Sequence, residues 1–176
     1  MRKLIYYGNP ILRKKCEEIK EITPEIRQLV HEMKHIMDEK EGIGIAAPQI
    51  GVSLSLFILR RYTHDEKSDK WSMTEPYVYI NPKILNYTEE SWIDEEGCLS
   101  IPGLRVLVPR PWGIKLQAQD LEGESFIYEV EGINARCIMH ENDHLHGTLQ
   151  IDRTDPKTKK QIEPKLREIK HKYSHN

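Results

Sequence analysis

Apolar residues recur at Ile26, Leu29, Val30, Met33, Ile36 and Met37, the three-and-four spacing that lines one side of a helix. Thr23, Pro24 and Glu25 ahead of them supply an N-cap, a first-turn proline and an acidic first turn, and the stop falls near Gly42. Beyond it, β-leaning residues gather into short runs at 54–59, 77–80, 105–108, 114–118 and 125–130, each bounded by Gly, Pro, Asn or Asp. These predict strands. Asp120 to Gly123, between the last two, is a hairpin signal, so at least part of the sheet is antiparallel. The polar stretch between Arg60 and Pro76 reads as an exposed connection. Helical spacing returns after Gly132, where Asn134 can cap a helix running through Ala135, Ile138, Met139 and His144 to a stop near Gly147. A last helix starts at Asp155-Pro156 and carries Ile162, Leu166, Ile169 and Tyr173, with Pro164 inside the pattern predicting a kink or a late start. The implied class is α+β: mainly antiparallel or mixed β-sheets packed around a central helix, plus an N-terminal and a C-terminal helix.

A chain of 176 residues suffices for one core without disulfide staples, so a single domain over 1–176 is expected, with 155–176 as a helical tail. The formal net charge of −2 lacks the basic field of a nucleic-acid binder, and no sequence-specific nucleic acid is expected as a partner. Gly8, Asn9 and Pro10 interrupt the start before an apolar export segment can build, and no run approaches the roughly 18 apolar residues of a membrane span. A cytoplasmic protein without membrane contact is the expectation. Three cysteines, Cys16, Cys98 and Cys137, are an odd number, pointing to reduced thiols or metal ligation rather than a disulfide framework.

His140-Glu141-Asn142-Asp143-His144 lies in the central helix. Histidines four apart face the same way, about 6 Å along the axis, so two imidazoles can share one ion and the helix becomes a metal-binding one. Glu141 can lean over a vacant coordination position, where a carboxylate takes a proton from bound water. Spacing leaves the third ligand open. A third histidine at 150 is excluded because that residue is Gln150. Cys137, seven residues from His144 and about 10 Å along the axis, reads as core. Glu163 on the following helix and Cys98 in the Gly- and Pro-flanked segment 95–102 both remain. A closed structural zinc site with Cys16 or His146 as fourth ligand would leave Glu141 without a duty.

Three segments in order resemble the peptide deformylase family: Gly42-Ile43-Gly44-Ile45-Ala46-Ala47-Pro48-Gln49, Glu96-Gly97-Cys98-Leu99-Ser100, and His140-Glu141-Asn142-Asp143-His144. The likeness also covers Gly8-Asn9-Pro10-Ile11-Leu12-Arg13 and extends to about Arg153. It implies a metal-dependent hydrolase that removes the formyl group from N-formylmethionyl nascent peptides. It implies Cys98, His140 and His144 as ligands, displacing Glu163, and Glu141 as general base and acid. Gln49 and the Leu99 N–H would meet the substrate carbonyl oxygen. By the same likeness the substrate contacts are Ile43, Gly44, Ile45 and Gly97, with Arg105 at the pocket rim and Ile133 and Cys137 lining the methionine pocket.

The family's usual ion is Fe(II), with Zn(II), Ni(II) or Co(II) as substitutes. At Arg136 the resemblance leads one to expect an apolar side chain, which bears on the depth and polarity of the pocket, and Met139 stands where glutamine is common. From Asp155 on, seven Lys/Arg face three acids. In related bacterial enzymes a C-terminal helix docks on the ribosome, and a basic strip suits that RNA surface.

Overall fold

The computed structural model describes residues 2–173, so the tail residues 174–176 lie outside the description. The helices are α1 (Pro24–Glu39), α2 (Gly132–Leu145), α3 (Gln150–Arg153) and α4 (Pro156–Tyr173). The strands are β1 (Gly44–Ala46), β2 (Leu56–Leu59), β3 (Tyr62–Asp65), β4 (Lys70–Met73), β5 (Tyr77–Tyr87), β6 (Ser91–Cys98), β7 (Ile101–Pro111), β8 (Gly113–Gln119) and β9 (Ser125–Glu131). A five-stranded sheet has the order β1-β2-β5-β8-β9, every pair antiparallel. Helices cover both of its faces, which is why β2 is buried along its whole length. Its alternation sends Leu56 and Ile58 toward Leu29, Met33, Ile36 and Met37 of α1. Phe57 and Leu59 go the other way, toward Ala135, Ile138 and Met139 of α2. The class is therefore α+β with antiparallel sheets around a central helix, as the periodicities predict.

β6 and β7 form a separate long hairpin. Ile101, Val106 and Val108 of β7 pack with Leu149, Ile151, Ile162, Leu166 and Ile169, so α3 and α4 clamp the hairpin beside α2. The chain turns between α2 and α3 at Gly147, whose φ of +70° and contact with the Arg13 backbone leave no room for a Cβ.

Four expectations need correction. The 60–76 stretch is not a bare connection but carries the hairpin β3–β4, exposed along almost its whole length and therefore without an apolar face to betray it. Asn134 does not cap α2; the cap position is Glu131, and the Asn134 side chain instead exchanges two hydrogen bonds with the Tyr62 backbone, tying that hairpin to the helix. α4 does not start late: it begins at Pro156 and its helical assignment continues past Pro164, with Ile162, Leu166 and Ile169 held in the core. The β-run at 105–108 is only the middle of β7, and its partner β6 was not anticipated.

Candidate metal centre

α2 carries His140 and His144 on successive turns, their rings 5.1 Å apart at 74°. β6 brings Cys98 to them. One ligand atom from each of the three lies within 4.8 Å of the others, and the Cys98 Sγ is 3.3 Å from His144 Nε2. Metal–ligand bonds of about 2.0–2.3 Å in a tetrahedron require ligand pairs roughly 3.3–3.8 Å apart. The thiol and two imidazoles thus fit a divalent ion with small adjustments, and one coordination position is left over. Among the described residues this is the one group of three His, Cys, Asp or Glu side chains gathered in this way. Glu163 is not part of it; it lies exposed on α4 and pairs with Arg167. Cys16 is buried with its backbone against Leu145, and His146 is exposed with Nδ1 on the Asn142 carbonyl, so neither closes the site.

The alternation of β6 turns Trp92, Asp94 and Glu96 inward while Ile93 and Glu95 face out. Glu96 is 5 % exposed and accepts four hydrogen bonds. Arg110 donates two, from Nε to Oε1 at 2.7 Å and from Nη2 to Oε2 at 2.8 Å. Arg136 Nη1 donates to Oε1 and His140 Nδ1 to Oε2, both at 2.9 Å. Burial works against its charge, but the bonds from Arg110 and His140 hold the carboxyl well below the usual range. With Nδ1 donating to Glu96, the other ring nitrogen of His140, Nε2, is the one that could serve as a ligand atom. Arg110 also reaches Asp143, which Arg153 grips from the other side.

Glu141 sits on α2 beside the cavity, 6 % exposed, and its Oε2 is buried with no hydrogen-bond partner in the protein. Burial pushes its carboxyl up to about 7, the charge of Glu96 adding to this and those of His140 and Arg110 opposing it. A buried, unpaired carboxylate oxygen next to two imidazoles is an arrangement that leaves room for a proton donor. Gly44 is the reason it fits: an ideal Cβ there would stand 2.6 Å from Glu141 Oε1. Gln49, in the turn after β1, accepts from the Ala46 N–H through Oε1 at 2.8 Å. Its Nε2 donates to Ser100 Oγ at 3.1 Å and points at the Cys98 sulfur, 3.6 Å away.

These groups open on a cavity of about 620 Å³. Ile43, Gly44, Gln49, Gly97, Cys98, Leu99, Arg105, Ile133, Cys137, His140 and Glu141 all line it. Ile45 does not. Its side chain points the other way from β1 into the α1 core, because Gly44 and Ala46 take the face toward α2. Arg105 stands on the rim, paired with Glu95. Cys137 packs beside the α2 cluster and also borders the cavity. Arg136 lines the cavity too, but its guanidinium is spent on Glu96 and three backbone carbonyls. Sequence reasoning named neither Glu96 nor Ser100, Arg110, Asp143 and Arg153 as parts of the site. Glu96 had a usable signal, since two positions before Cys98 on a strand is the same face.

A family model described as Polypeptide deformylase matches residues 1–160. A peptide deformylase of Clostridium botulinum (strain Alaska E43 / Type E3) is 43% identical over 157 residues, 89% of this chain and 99% of that one. One from Acinetobacter baumannii (strain SDF) is 38% identical over 166 residues, 94% of this chain and 90% of its own. A crystal structure of the Plasmodium falciparum peptide deformylase superposes with a TM-score of 0.87 at 32% identity, covering 99% of both chains. With the thiol, the two imidazoles and the orphaned carboxylate already gathered around one cavity, this chain belongs to the polypeptide deformylase family.

Proposed function

We propose that this enzyme removes the N-formyl group from N-formylmethionyl peptides, with Cys98, His140 and His144 holding one divalent ion and Glu141 moving the protons. The observation that carries this is the three ligand atoms within 4.8 Å of one another beside a buried Glu141 oxygen without a partner. When bound, the ion supplies Lewis acidity and brings water close to ionisation at neutral pH. Glu141 accepts the proton of the attacking water and delivers it to the amine that leaves as formate departs. The Gln49 amide and the Leu99 N–H donate to the formyl oxygen as its charge grows. Gln49 is held for this by its bonds to the Ala46 N–H and Ser100 Oγ, which fix the amide without swinging it. Ile133 and Cys137 border the space for the methionine side chain, and the backbone at Ile43 and Gly44, with Gly97, flanks the peptide. The catalytic domain spans the chain, and the resident metal is Fe(II), a choice carried by the family likeness; donor softness alone does not select it.

The exposed lysines of α4 suit a ribosomal surface in the cytoplasm, while Ile162, Leu166 and Ile169 hold the helix to the body. Among the described residues no helix is long and apolar enough to cross a membrane. Two measurements test the reading. Anaerobically iron-loaded protein releases formate from a formyl-Met peptide and ignores the acetylated analogue; equal release from both, or from neither, would overturn it. Reversing the charge of Lys157, Lys159 and Lys160 lowers ribosome co-sedimentation, and unchanged sedimentation removes the ribosome from the account.

A further inference from the structure

We infer that Arg136 is a positioning residue of the metal centre, acting through Glu96 on His140; the inference rests on the proposed ligand set. Arg136 stands one helical turn before His140, so both side chains leave the same side of α2. It is 1 % exposed. Nη1 donates to Glu96 Oε1 and to the Val108 carbonyl, both at 2.9 Å, with the Asp94 carbonyl at 3.5 Å. Nη2 donates to the Trp92 carbonyl at 3.0 Å, and the guanidinium carbon lies 4.3 Å from the Trp92 ring centroid. One planar fork thus bridges α2, both strands of the β6–β7 hairpin and the carboxylate that orients His140.

An apolar side chain would fill this part of the cavity wall without the desolvation cost of burying a charge. Filling space therefore does not account for a guanidinium here. What it adds is a second constraint on Glu96. Arg110 alone would leave Oε1 with one donor and the carboxylate free to rock about that pair of bonds; Arg136 pins Oε1 from the helix that also carries His140. Fixing the carboxylate plane fixes the Nδ1 bond, and with it the direction of the His140 Nε2 lone pair.

The test uses the whole protein with Co(II), whose thiolate charge-transfer absorption reports ligation directly, in competition with a chelator. Arg136→Met keeps the stem and removes the donors. Its Co(II) affinity falls on the order of tenfold, the lower end for residues that orient a ligand from outside the coordination sphere. Arg136→Lys recovers part of that loss. In a Glu96→Gln background Arg136→Met costs no further affinity. Wild-type affinity and spectrum in both Arg136 variants would reduce the residue to packing, even if the melting temperature drops. An undiminished effect in the Glu96→Gln background would show that it does not act through Glu96, and both results overturn the inference. Should Arg136→Met not fold, the comparison is made with Arg136→Lys, for which wild-type affinity is the refuting result. Cys98→Ala and His140→Ala run in parallel: retained affinity there sinks the ligand set itself, a failure distinct from that of Arg136.

Discussion

Gly44→Ala separates the position of Glu141 from everything else the centre needs. The added Cβ would lie 2.6 Å from Glu141 Oε1, 3.0 Å from its Cδ and 2.8 Å from Leu59 Cδ1. Comfortable heavy-atom contacts are about 3.5 Å, so the carboxylate must recede by roughly 0.5–1 Å. The backbone has no objection, because Gly44 is not among the positive-φ glycines. Alanine also lowers the entropy of the unfolded chain, a gain of about 0.4–1 kcal/mol that offsets the crowding. Stability should therefore stay near the parent value. Catalysis should not: a misplacement of about 1 Å can cost on the order of 100-fold, about 2.7 kcal/mol in the transition state.

The assay is formate release under anaerobic iron loading, with Tm and Co(II) affinity as controls. Activity falls about 100-fold in kcat, while metal affinity is unchanged, because the atoms nearest the added Cβ belong to Glu141 and Leu59 and not to Cys98, His140 or His144. A cycle with Glu141→Ala adds the decisive comparison: once the carboxylate is gone, alanine at 44 has nothing to displace and adds no further loss. Full turnover in Gly44→Ala would refute the claim that Glu141 works from the position it holds. A loss equally large in the Glu141→Ala background would assign the effect to crowding of the substrate instead.

Two further outcomes follow from the buried charges and thiols. Glu96→Gln leaves Arg110 and Arg136 facing a neutral amide and lowers stability by about 3 kcal/mol in urea unfolding at pH 7. The Glu96 carboxyl is depressed in the fold, so the unfolded state binds its proton first as pH falls. Its stabilisation is complete above the unfolded value near about 4.3 and drains below it, making the parent's loss of Tm from pH 5 to pH 3 steeper than that of Glu96→Gln. Parallel slopes would contradict this. Burial pushes the Cys137 thiol up to about 12, helped by the charges of Glu141 and Glu96, and raises Cys16 as well. Iodoacetamide near pH 8 should leave both unmodified in the native protein and label Cys98, with bound metal protecting it. Peptide mapping that finds Cys137 alkylated before unfolding would refute its placement.

How much of this was legible in the chain depends on what each element buries. α1 and α2 show through their apolar periods, since Met33 and Ile138 face packed cores. The pair His140 and His144 is local, so one helix period places both. β3 and β4 were invisible because nearly every residue of theirs faces solvent and cross-strand pairing carries them without an apolar stripe. β6 was hidden for the opposite reason. Its buried carboxylate at Glu96 and the outward Ile93, 66 % exposed, invert the apolar-in rule. The third ligand could not be chosen by spacing either, because Cys98 meets α2 only through the packing of the β6–β7 hairpin on that helix, where Arg110 pairs with Asp143 and Arg136 with Glu96. Those contacts are charge pairs between residues distant in sequence, and no periodicity records them. The strand that hydrophobic patterning reads worst is thus the one that completes the centre: the carboxylate that spoils its pattern is what brings it to His140, and Cys98 arrives with it on the same side of the same strand.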